Sequence, residues 1–192
     1  MSANVTYAGG LASDDELHLL GDISGGRRVL ELGIAGNAVA IATAGGKAIA
    51  VDHDVDRIAD LRADAARAGV SVECHHGELG DLGFAPSGTI DVVIANHTLD
   101  EDPDLGRTLR QVHRVLKPGA PFVLAMAHPF AAVGSALDGT VRRYGEDHRT
   151  VGELLMLLDR TNFRLEAFHE LGVDDTSPLP TTLVVKVRKQ GS

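Results

Sequence analysis

The chain has 192 residues, of which 44% are hydrophobic, and this favours a single domain with one well-buried core. Its 18 basic and 27 acidic residues give a net charge of -9, which argues against a nucleic-acid substrate because phosphates are neutralised by clustered Lys and Arg. The single cysteine, Cys74, excludes an internal disulfide. Residues 1–10 lack the basic and apolar regions of a signal peptide, and no apolar run has the length of a membrane span, so we expect a cytoplasmic protein.

The first predicted element is a short helix over residues 13–20. It opens with a capping box, in which Ser13 stands three residues before Glu16, and three leucines follow. We expect this helix to precede the first strand of a sheet.

The next stretch, residues 29–37, has the pattern of a strand, a tight loop and a helix. Gly33, Ala35 and Gly36 put almost no side chain into the loop, so its backbone can approach a ligand closely. A second apolar run ends on Asp52, at about the twenty-residue spacing from the glycine turn at which a carboxylate reaches ribose hydroxyls. The two strands therefore predict a site for a cofactor that contains adenosine.

The acid inside the first strand, Glu31, decides which adenosine cofactor is predicted. A dinucleotide site requires Gly-x-Gly-x-x-Gly and directs a helix N-terminus at a pyrophosphate. Here Ala35 stands at the second glycine position, the third position lacks glycine, and Glu31 would place a negative charge beside the phosphates. A cofactor that carries an ammonium group and no phosphate accepts that carboxylate.

This stretch resembles the first motif of the class I S-adenosylmethionine-dependent methyltransferases, which is an acid-x-Gly-x-Gly-x-Gly pattern after a strand. The motif positions here read Glu31, Gly33, Ala35 and Asn37, so two of the three glycines are replaced. We expect Asn37 to preserve the turn, because asparagine tolerates a left-handed backbone better than most residues. The resemblance implies that these four residues contact the cofactor.

The resemblance further implies S-adenosyl-L-methionine as the cofactor and S-adenosyl-L-homocysteine as the product. Asp52 would bind the ribose, with His53 beside it in the cofactor site. Residues 77–84 look like the family's Gly-Asp-x-x-x-Leu-Pro-Phe segment, in which the acid binds the adenine amino group and the next backbone amide binds a ring nitrogen. Glu78 and Leu79 occupy those two positions.

Helices and strands alternate through the middle of the chain, which indicates parallel strands in an α/β sheet. A Leu-Lys-Pro-Gly turn at residues 116–119 resembles the turn that precedes the fifth strand in this family. The predicted helices cover residues 38–44, 55–68 and 105–116, and the predicted strands cover residues 70–75, 89–96 and 122–126.

The C-terminal third departs from this alternation. Residues 128–149 are predicted as a loop of small and charged residues. A capping box, Thr150 with Glu153, then starts a helix. Two strands follow, one from Phe163 and one over residues 182–187, and in the family such strands form an antiparallel hairpin at the sheet edge.

The expected fold is a three-layer Rossmann-like α/β sandwich around a mostly parallel seven-stranded sheet with a C-terminal antiparallel hairpin strand. In this family an N-terminal segment often folds over the cofactor, so Tyr7 is a candidate lid residue, and a frayed terminus is the alternative. We divide the single domain, 1–192, into a lid and helix at 1–24, a cofactor-binding core at 25–127, a short substrate loop at 128–149, and a helix with hairpin at 150–192.

Methyl transfer from a sulfonium is an in-line displacement that needs alignment more than a catalytic side chain, but a protonated acceptor of high pKa needs a general base. Asn96, His97 and His128 end the fourth and fifth strands, and Tyr144 lies on the loop that follows. His97 is the preferred base, because the loop after the fourth strand faces the transferred methyl in this family. His128 is a weaker candidate, since the following Pro129 also fits a structural turn. Asn96 is expected to contact the cofactor.

Two other polar clusters are interpreted as structural. Cys74, His75 and His76 include metal-ligand types, but alternate side chains of a strand point to opposite faces, so no metal site is expected. The acidic run at residues 100–102 is interpreted as a solvated turn.

Three functions remain open from the sequence. The first is a methyltransferase that acts on a small molecule, without membrane or nucleic-acid partners. The second is a protein of the same fold that binds S-adenosylmethionine without transferring methyl, and the third is a nicotinamide-dependent oxidoreductase. Apolar residues at 131–137 would serve a homodimer contact or complete the pocket from a partner subunit.

Overall fold

A computed structural model of the chain describes residues 4–134, 143–145, 149–174 and 178–191. A two-stranded hairpin of β1 (Thr6–Tyr7) and β2 (Ala12–Ser13) precedes a seven-stranded sheet. The seven strands are β3 (Arg28–Leu32), β4 (Lys47–Asp52), β5 (Val72–His76), β6 (Val92–Asn96), β7 (Pro121–Ala127), β8 (Phe163–Leu171) and β9 (Thr182–Lys189).

The strand order is β5-β4-β3-β6-β7-β9-β8. The strands β3 to β7 pair in parallel, whereas β9 is antiparallel both to β7 and to the edge strand β8. This confirms the predicted sheet, including the antiparallel hairpin at its C-terminal edge. Because the parallel strands run in one direction, their carboxyl ends lie together along one side of the sheet, which we call the carboxyl edge. The predicted site residues lie at this carboxyl edge.

Most helices begin and end where the sequence predicts. Three of them start at a side chain that accepts a backbone N–H, namely Asp54, Asp104 and Thr150, and Thr150 forms the predicted capping box with Glu153. The helices are α1 (Asp14–Leu17), α2 (Ala38–Thr43), α3 (Val55–Ala68), α4 (Leu105–Val115), α5 (Pro129–Gly134) and α6 (Val151–Arg160).

Two hydrophobic clusters lie on opposite faces of the sheet, as the alternation along β3 requires. Leu30 and Leu32 face a cluster that contains buried residues of α4 and α6. Val29 faces the other cluster, which contains residues of α2, of α3 and of the N-terminal residues 5–23. Burial of both faces of a parallel sheet gives the three-layer sandwich that the sequence predicts.

The helix predicted over residues 13–20 is shorter than expected. It ends at Leu17, because His18 adopts a left-handed conformation with φ 52° and ψ 41°. The carboxylate of Asp14 then accepts the backbone N–H groups of Leu19 at 2.8 Å and Leu20 at 3.0 Å. One buried side chain thus replaces the hydrogen bonds that further helical turns would have made.

Two other boundaries were predicted wrongly. The fourth predicted strand begins at Val92 rather than at residue 89, because the Asp91 carboxylate accepts the Arg28 N–H at 2.9 Å and a bond from Lys117 Nζ at 2.6 Å. The start of the predicted loop 128–149 is the helix α5. The predicted dimer contact at 131–137 extends beyond the described residues.

Among the described residues, none of the helices has both the length and the apolar composition needed to span a membrane.

Candidate functional site

The loop between β3 and α2 forms the centre of the carboxyl edge. Gly33 has a φ of 71°, and a Cβ atom there would lie 2.4 Å from the Cβ of Thr98. The Thr98 hydroxyl in turn donates to the carbonyl of Leu32. Glycine is therefore required at position 33 both by its backbone conformation and by the close approach of the chain that follows β6.

Glu31 lies beneath this loop and is fully buried. Its carboxylate accepts the backbone N–H groups of Ala35 at 3.1 Å, Asn37 at 3.0 Å and Ala38 at 2.9 Å. Burial raises the pKa of Glu31 to about 6, against the lowering effect of these three bonds, and the charge of Asp52 raises it further. The N–H groups that would receive a pyrophosphate in a dinucleotide site are thus already bound to a carboxylate.

The backbone conformation of Asn37 differs from the one that its position in the motif suggests. We expected it to adopt the left-handed backbone of the turn, but its φ is -89° and its ψ is -21°, and Gly36 carries the positive φ of 92° instead. The expectation was wrong because the neighbouring glycine adopts the left-handed conformation at no steric cost. Asn37 is buried, and its side chain makes specific contacts with the N-terminal segment.

Two asparagines fasten the segment Thr6–Ala8 across the carboxyl edge. The side-chain oxygen of Asn37 accepts the Thr6 N–H at 3.1 Å, and that of Asn96 accepts the Ala8 N–H at 3.1 Å. Both side-chain amides also donate to the Thr6 carbonyl. The N-terminal segment therefore covers the glycine loop and the end of β6, and its contacts contradict the alternative of a frayed terminus for residues 5–8.

The ring of Tyr7 lies within the core below this segment. Tyr7 is fully buried, and its hydroxyl donates to Asp14 at 2.8 Å. Burial and the nearby Asp14 charge raise the pKa of Tyr7 far above its ordinary value. In this arrangement the phenol anchors the N-terminal segment, and the backbone of the segment forms the cover.

Asp52 ends β4 beside the glycine loop, as predicted, with only 2% of its side chain exposed. Its oxygens accept the Ile34 N–H at 2.8 Å and the Asp54 N–H at 2.9 Å. The side chains of His53 and Arg57 flank it, at 3.5 Å and 3.9 Å. Because a carboxylate has about four acceptor positions, these two bonds leave capacity for ribose hydroxyls.

The residues predicted for adenine lie on the loops after β4 and β5. His53 is 67% exposed in its side chain, Glu78 is exposed, and Leu79 packs against the hydrophobic cluster of α4. The His53 carbonyl lies 3.1 Å from His76 Nε2, which ties the two loops together. His53 thus lies beside the Asp52 carboxylate, and the Gly77 N–H, which donates to the Asp52 carbonyl at 3.0 Å, brings the loop of Glu78 and Leu79 to the end of the same strand.

His97 follows β6 in a left-handed backbone conformation, with φ 57°. Its Nδ1 lies 2.8 Å from Asp100 Oδ2, and its Nε2 lies 3.3 Å from the hydroxyl of Thr182 in β9. The side chain is 31% exposed. The predicted base is therefore at the edge, where it contacts Asp100 of its own loop and Thr182 of β9.

His128 is held in a different way. Its Nδ1 accepts the Phe130 N–H at 3.1 Å, and its Nε2 lies 3.0 Å from Glu170 Oε1, with the side chain wholly buried. Both ring nitrogens are thus engaged within the fold. Tyr144 was predicted on the loop that follows the fifth strand. Its hydroxyl accepts the Val151 N–H at 2.8 Å, at the start of α6.

The acidic run at residues 100–102 includes a turn with an exposed Glu101, as expected, but Asp100 and Asp102 make specific contacts within the fold. Asp100 contacts His97 and also accepts the Ala127 N–H at 3.1 Å, and Asp102 accepts the Thr108 hydroxyl at 2.6 Å. The spacing of three residues between His97 and Asp100 was the available signal. Thr98 and Thr182 gave no signal in the sequence, because their contacts depend on how distant strands pair.

Within the described part of the chain, no cluster of three or more His, Cys, Asp or Glu side chains is arranged to hold a metal.

Comparison with known proteins gives one family and one fold. Residues 30–124 match the family model described as a methyltransferase domain. An S-adenosylmethionine-dependent methyltransferase from Mesorhizobium loti is 23% identical, with a TM-score of 0.74 over 90% of this chain and 95% of its own. One from Methanosarcina mazei is 18% identical, with a TM-score of 0.72 over 94% and 99%. The cyclase SpnF is 17% identical, with a TM-score of 0.72 over 100% and 85%. At these identities the structural matches establish the fold.

Proposed function

The chain belongs to the methyltransferase-domain family, whose model it matches over residues 30–124, and from this premise we propose that it transfers a methyl group from S-adenosylmethionine to a small-molecule acceptor. Three features support the cofactor: the loop geometry, the buried carboxylate beneath the loop, and the acid at the end of the neighbouring strand.

The observation that carries the proposal is the set of three backbone N–H groups bound to Glu31. A nicotinamide dinucleotide places its pyrophosphate where such groups are free, whereas S-adenosylmethionine carries no phosphate. Displacing a buried carboxylate from three hydrogen bonds is costly, and a phosphate approaching it meets like charge. The loop therefore favours the adenosyl sulfonium over the dinucleotide.

The described residues divide the cofactor site into three parts. The loop at Gly33 and Gly36, with Asn96 beside it, would receive the amino-acid end. Asp52 would bind the ribose hydroxyls, and two exposed groups, His53 beside it and Glu78 on the loop after β5, would border the adenine. Bound S-adenosylmethionine supplies a methyl group on a positively charged sulfur, and the protein's contribution is to align the acceptor and exclude water.

The acceptor side extends from the end of β6 toward α5. His97 is the candidate base there, because it is partly exposed and has the Nε2 atom only weakly engaged. The net charge of -9 supports a small-molecule acceptor rather than a nucleic acid.

A second function is a protein that binds S-adenosylmethionine without transferring methyl. The observation that favours it is the superposition on a protein described as a cyclase, since the same fold there carries another activity. The two functions share the cofactor site and differ in whether S-adenosylhomocysteine is formed.

Calorimetric titration with S-adenosylmethionine, S-adenosylhomocysteine and NAD tests the cofactor. We expect both adenosyl ligands to bind and NAD not to bind, and we expect Asp52→Ala to weaken adenosyl binding by about ten- to a hundredfold, through lost hydrogen bonds to the ribose. Asp54→Asn is the matched control, because it removes a neighbouring charge and keeps a good helix N-cap. Binding of NAD alone would contradict the proposal. Release of S-adenosylhomocysteine in the presence of hydroxylated acceptors then separates transfer from binding.

A further inference from the structure

The backbone of His97 points to a role beyond packing. A φ of 57° is unfavourable for a residue with a side chain, and it is held here by the His97 N–H, which donates to the Ala125 carbonyl at 2.8 Å. The turn brings the imidazole back over the carboxyl edge, between Asp100 and Thr182. Such left-handed residues often mark sites where a side chain is positioned for use.

Asp100 determines which ring nitrogen of His97 carries the proton. Its Oδ1 accepts the Ala127 N–H, and its Oδ2 lies 2.8 Å from His97 Nδ1. A carboxylate only accepts hydrogen bonds, so in the neutral imidazole Nδ1 is the protonated nitrogen and Nε2 carries the lone pair. The hydroxyl of Thr182 is 3.3 Å from Nε2, longer than a normal hydrogen bond from a hydroxyl, and leaves that lone pair weakly engaged.

We propose that Asp100 is the positioning residue for His97, fixing the neutral imidazole with its Nε2 lone pair toward an acceptor that is methylated on a hydroxyl group. This rests on the methyltransferase function proposed above. The acceptor exchanges its O–H bond for an O–CH₃ bond, the electron pair of the broken S–CH₃ bond stays on sulfur, and the proton passes to Nε2 and then to water.

A hydroxyl acceptor fits because it belongs to the acceptors that must lose a proton to a base. An acceptor that is already ionised, such as a carboxylate, gains nothing from a base, whereas a hydroxyl must lose its proton during attack. The group that Nε2 already faces, Thr182 Oγ1, is itself a hydroxyl, and an acceptor hydroxyl would compete with it for the same lone pair.

Another hydrogen-bonded histidine–carboxylate pair at this edge, His128 with Glu170, shows the contrast. His128 Nδ1 accepts the Phe130 N–H, so its Nε2 is the protonated nitrogen and donates to Glu170. This ring has no available lone pair and no exposed surface. Of these two pairs, only His97 with Asp100 presents a proton acceptor at the site.

Long-range proton–nitrogen correlation NMR of isotope-labelled protein reads the tautomer directly. We expect the wild-type His97 to be protonated on Nδ1 at a pH where the ring is neutral. In the wild type Ala127 and His97 bind different oxygens of Asp100, and in Asp100→Asn only one of those two positions remains an oxygen. If that oxygen keeps the Ala127 N–H, the NH₂ group faces Nδ1 and the proton moves to Nε2, which is the result we expect.

Two variants serve as matched controls. Glu101→Gln removes the exposed charge next to Asp100, and Thr182→Val removes the hydroxyl at Nε2 while keeping the shape of the residue. Both should keep the Nδ1 proton. Mapped modification by diethyl pyrocarbonate gives an independent readout, because it requires a free nitrogen lone pair. We expect His97 modification to fall at least about fivefold in Asp100→Asn relative to the exposed His53 of the same chain, since only the minor tautomer would react.

Either of two results would overturn the proposal. One is an Nε2-protonated His97 in the wild-type protein, and the other is an unchanged tautomer and unchanged modification in Asp100→Asn. Calorimetry separates this failure from failure of the proposed function, because S-adenosylmethionine should bind wild type and Asp100→Asn equally. Loss of cofactor binding in the wild-type protein would contradict the proposed function without affecting the tautomer result.

Discussion

The side-chain amides of Asn37 and Asn96 donate to the same backbone oxygen, the carbonyl of Thr6, at 3.2 Å and 3.0 Å. Asn37 stands where the family motif has its third glycine, and Asn96 ends β6, so one carbonyl of the N-terminal segment joins the two sides of the carboxyl edge. The glycine lost from the loop is thereby replaced by a residue with a structural role of its own.

Alanine at either asparagine should loosen the N-terminal segment. Each substitution removes two hydrogen bonds to Thr6–Ala8. It leaves one partly buried N–H without its partner, that of Thr6 or that of Ala8, at a cost of about 1–3 kcal/mol. We expect faster amide hydrogen exchange at residues 5–8 in both variants, measured by mass spectrometry. Thr43→Ala, on the exposed side of α2, is the control. Unchanged exchange in both asparagine variants would show that Tyr7 alone holds the segment.

Glu31→Gln should destabilise the protein at neutral pH. The carboxylate accepts three N–H groups through two oxygens, whereas an amide has one oxygen, so its NH₂ group would face the N–H of Ala38. We expect a loss of about 1–3 kcal/mol in the free energy of unfolding, measured with urea. The matched substitution of an exposed acid, Glu78→Gln, should leave it within about 0.5 kcal/mol. Equal urea midpoints of unfolding for Glu31→Gln and Glu78→Gln would contradict a stabilising role for the three hydrogen bonds to Glu31.

The Glu31 carboxyl should also make stability depend on pH. Its pKa in the folded protein is about 6, above the ordinary 4.5, so between these values the folded state binds more protons than the unfolded state. The free energy of unfolding should therefore fall as the pH rises through this window, by roughly 2 kcal/mol from this group. Other groups titrate nearby, so the measurement is the difference between wild type and Glu31→Gln at each pH. If the difference in the free energy of unfolding between wild type and Glu31→Gln stays constant between pH 4.5 and 6, the raised pKa of Glu31 is refuted.

The sequence predicted the sheet because its signals are local and periodic. Apolar runs, capping residues and the Pro-Gly turn each determine a boundary without reference to the rest of the chain. Failures occurred where a side chain replaces a backbone hydrogen bond. Asp14 ends a helix early, and Asp91 delays a strand, because their carboxylates accept N–H groups that a periodic pattern assigns to the backbone.

The candidate site divides in the same way. Glu31, Asp52 and His97 were predicted as site residues because each lies in or directly after a predicted strand, and the structure places all three at the carboxyl ends of the parallel strands. Thr182 was missed, because its contact with His97 exists only after β6, β7 and β9 have paired in register. Asp100 was missed although it lies only three residues after His97, because the acidic run was interpreted as a solvated turn. Knowledge of strand order is needed before a threonine 85 positions away can be placed beside a histidine.

Two glycines of the loop provide a matched pair for the last prediction. Both have positive φ, 71° at Gly33 and 92° at Gly36. A Cβ at Gly33 would overlap the Thr98 side chain at 2.4 Å, whereas none of the described atoms lies within 4 Å of a Cβ at Gly36. Alanine at either position should cost about 1–2 kcal/mol for its left-handed backbone. At Gly33 the overlap adds about 1–3 kcal/mol, because Thr98 is held by its bond to the Leu32 carbonyl.

We therefore expect Gly33→Ala to lower the free energy of unfolding more than Gly36→Ala, and to weaken S-adenosylmethionine binding by displacing the chain after β6. Urea unfolding measures the first effect and calorimetry the second.

Thr98→Ser is the informative second substitution, because it keeps the hydroxyl and removes the methyl that would lie 2.6 Å from the new Cβ. In the Gly33→Ala background it should recover part of the lost stability, whereas it should recover none in the Gly36→Ala background, since that position does not contact Thr98. Equal losses for the two glycine variants would mean that backbone conformation alone, and not the approach of the β6 turn, requires glycine in this loop.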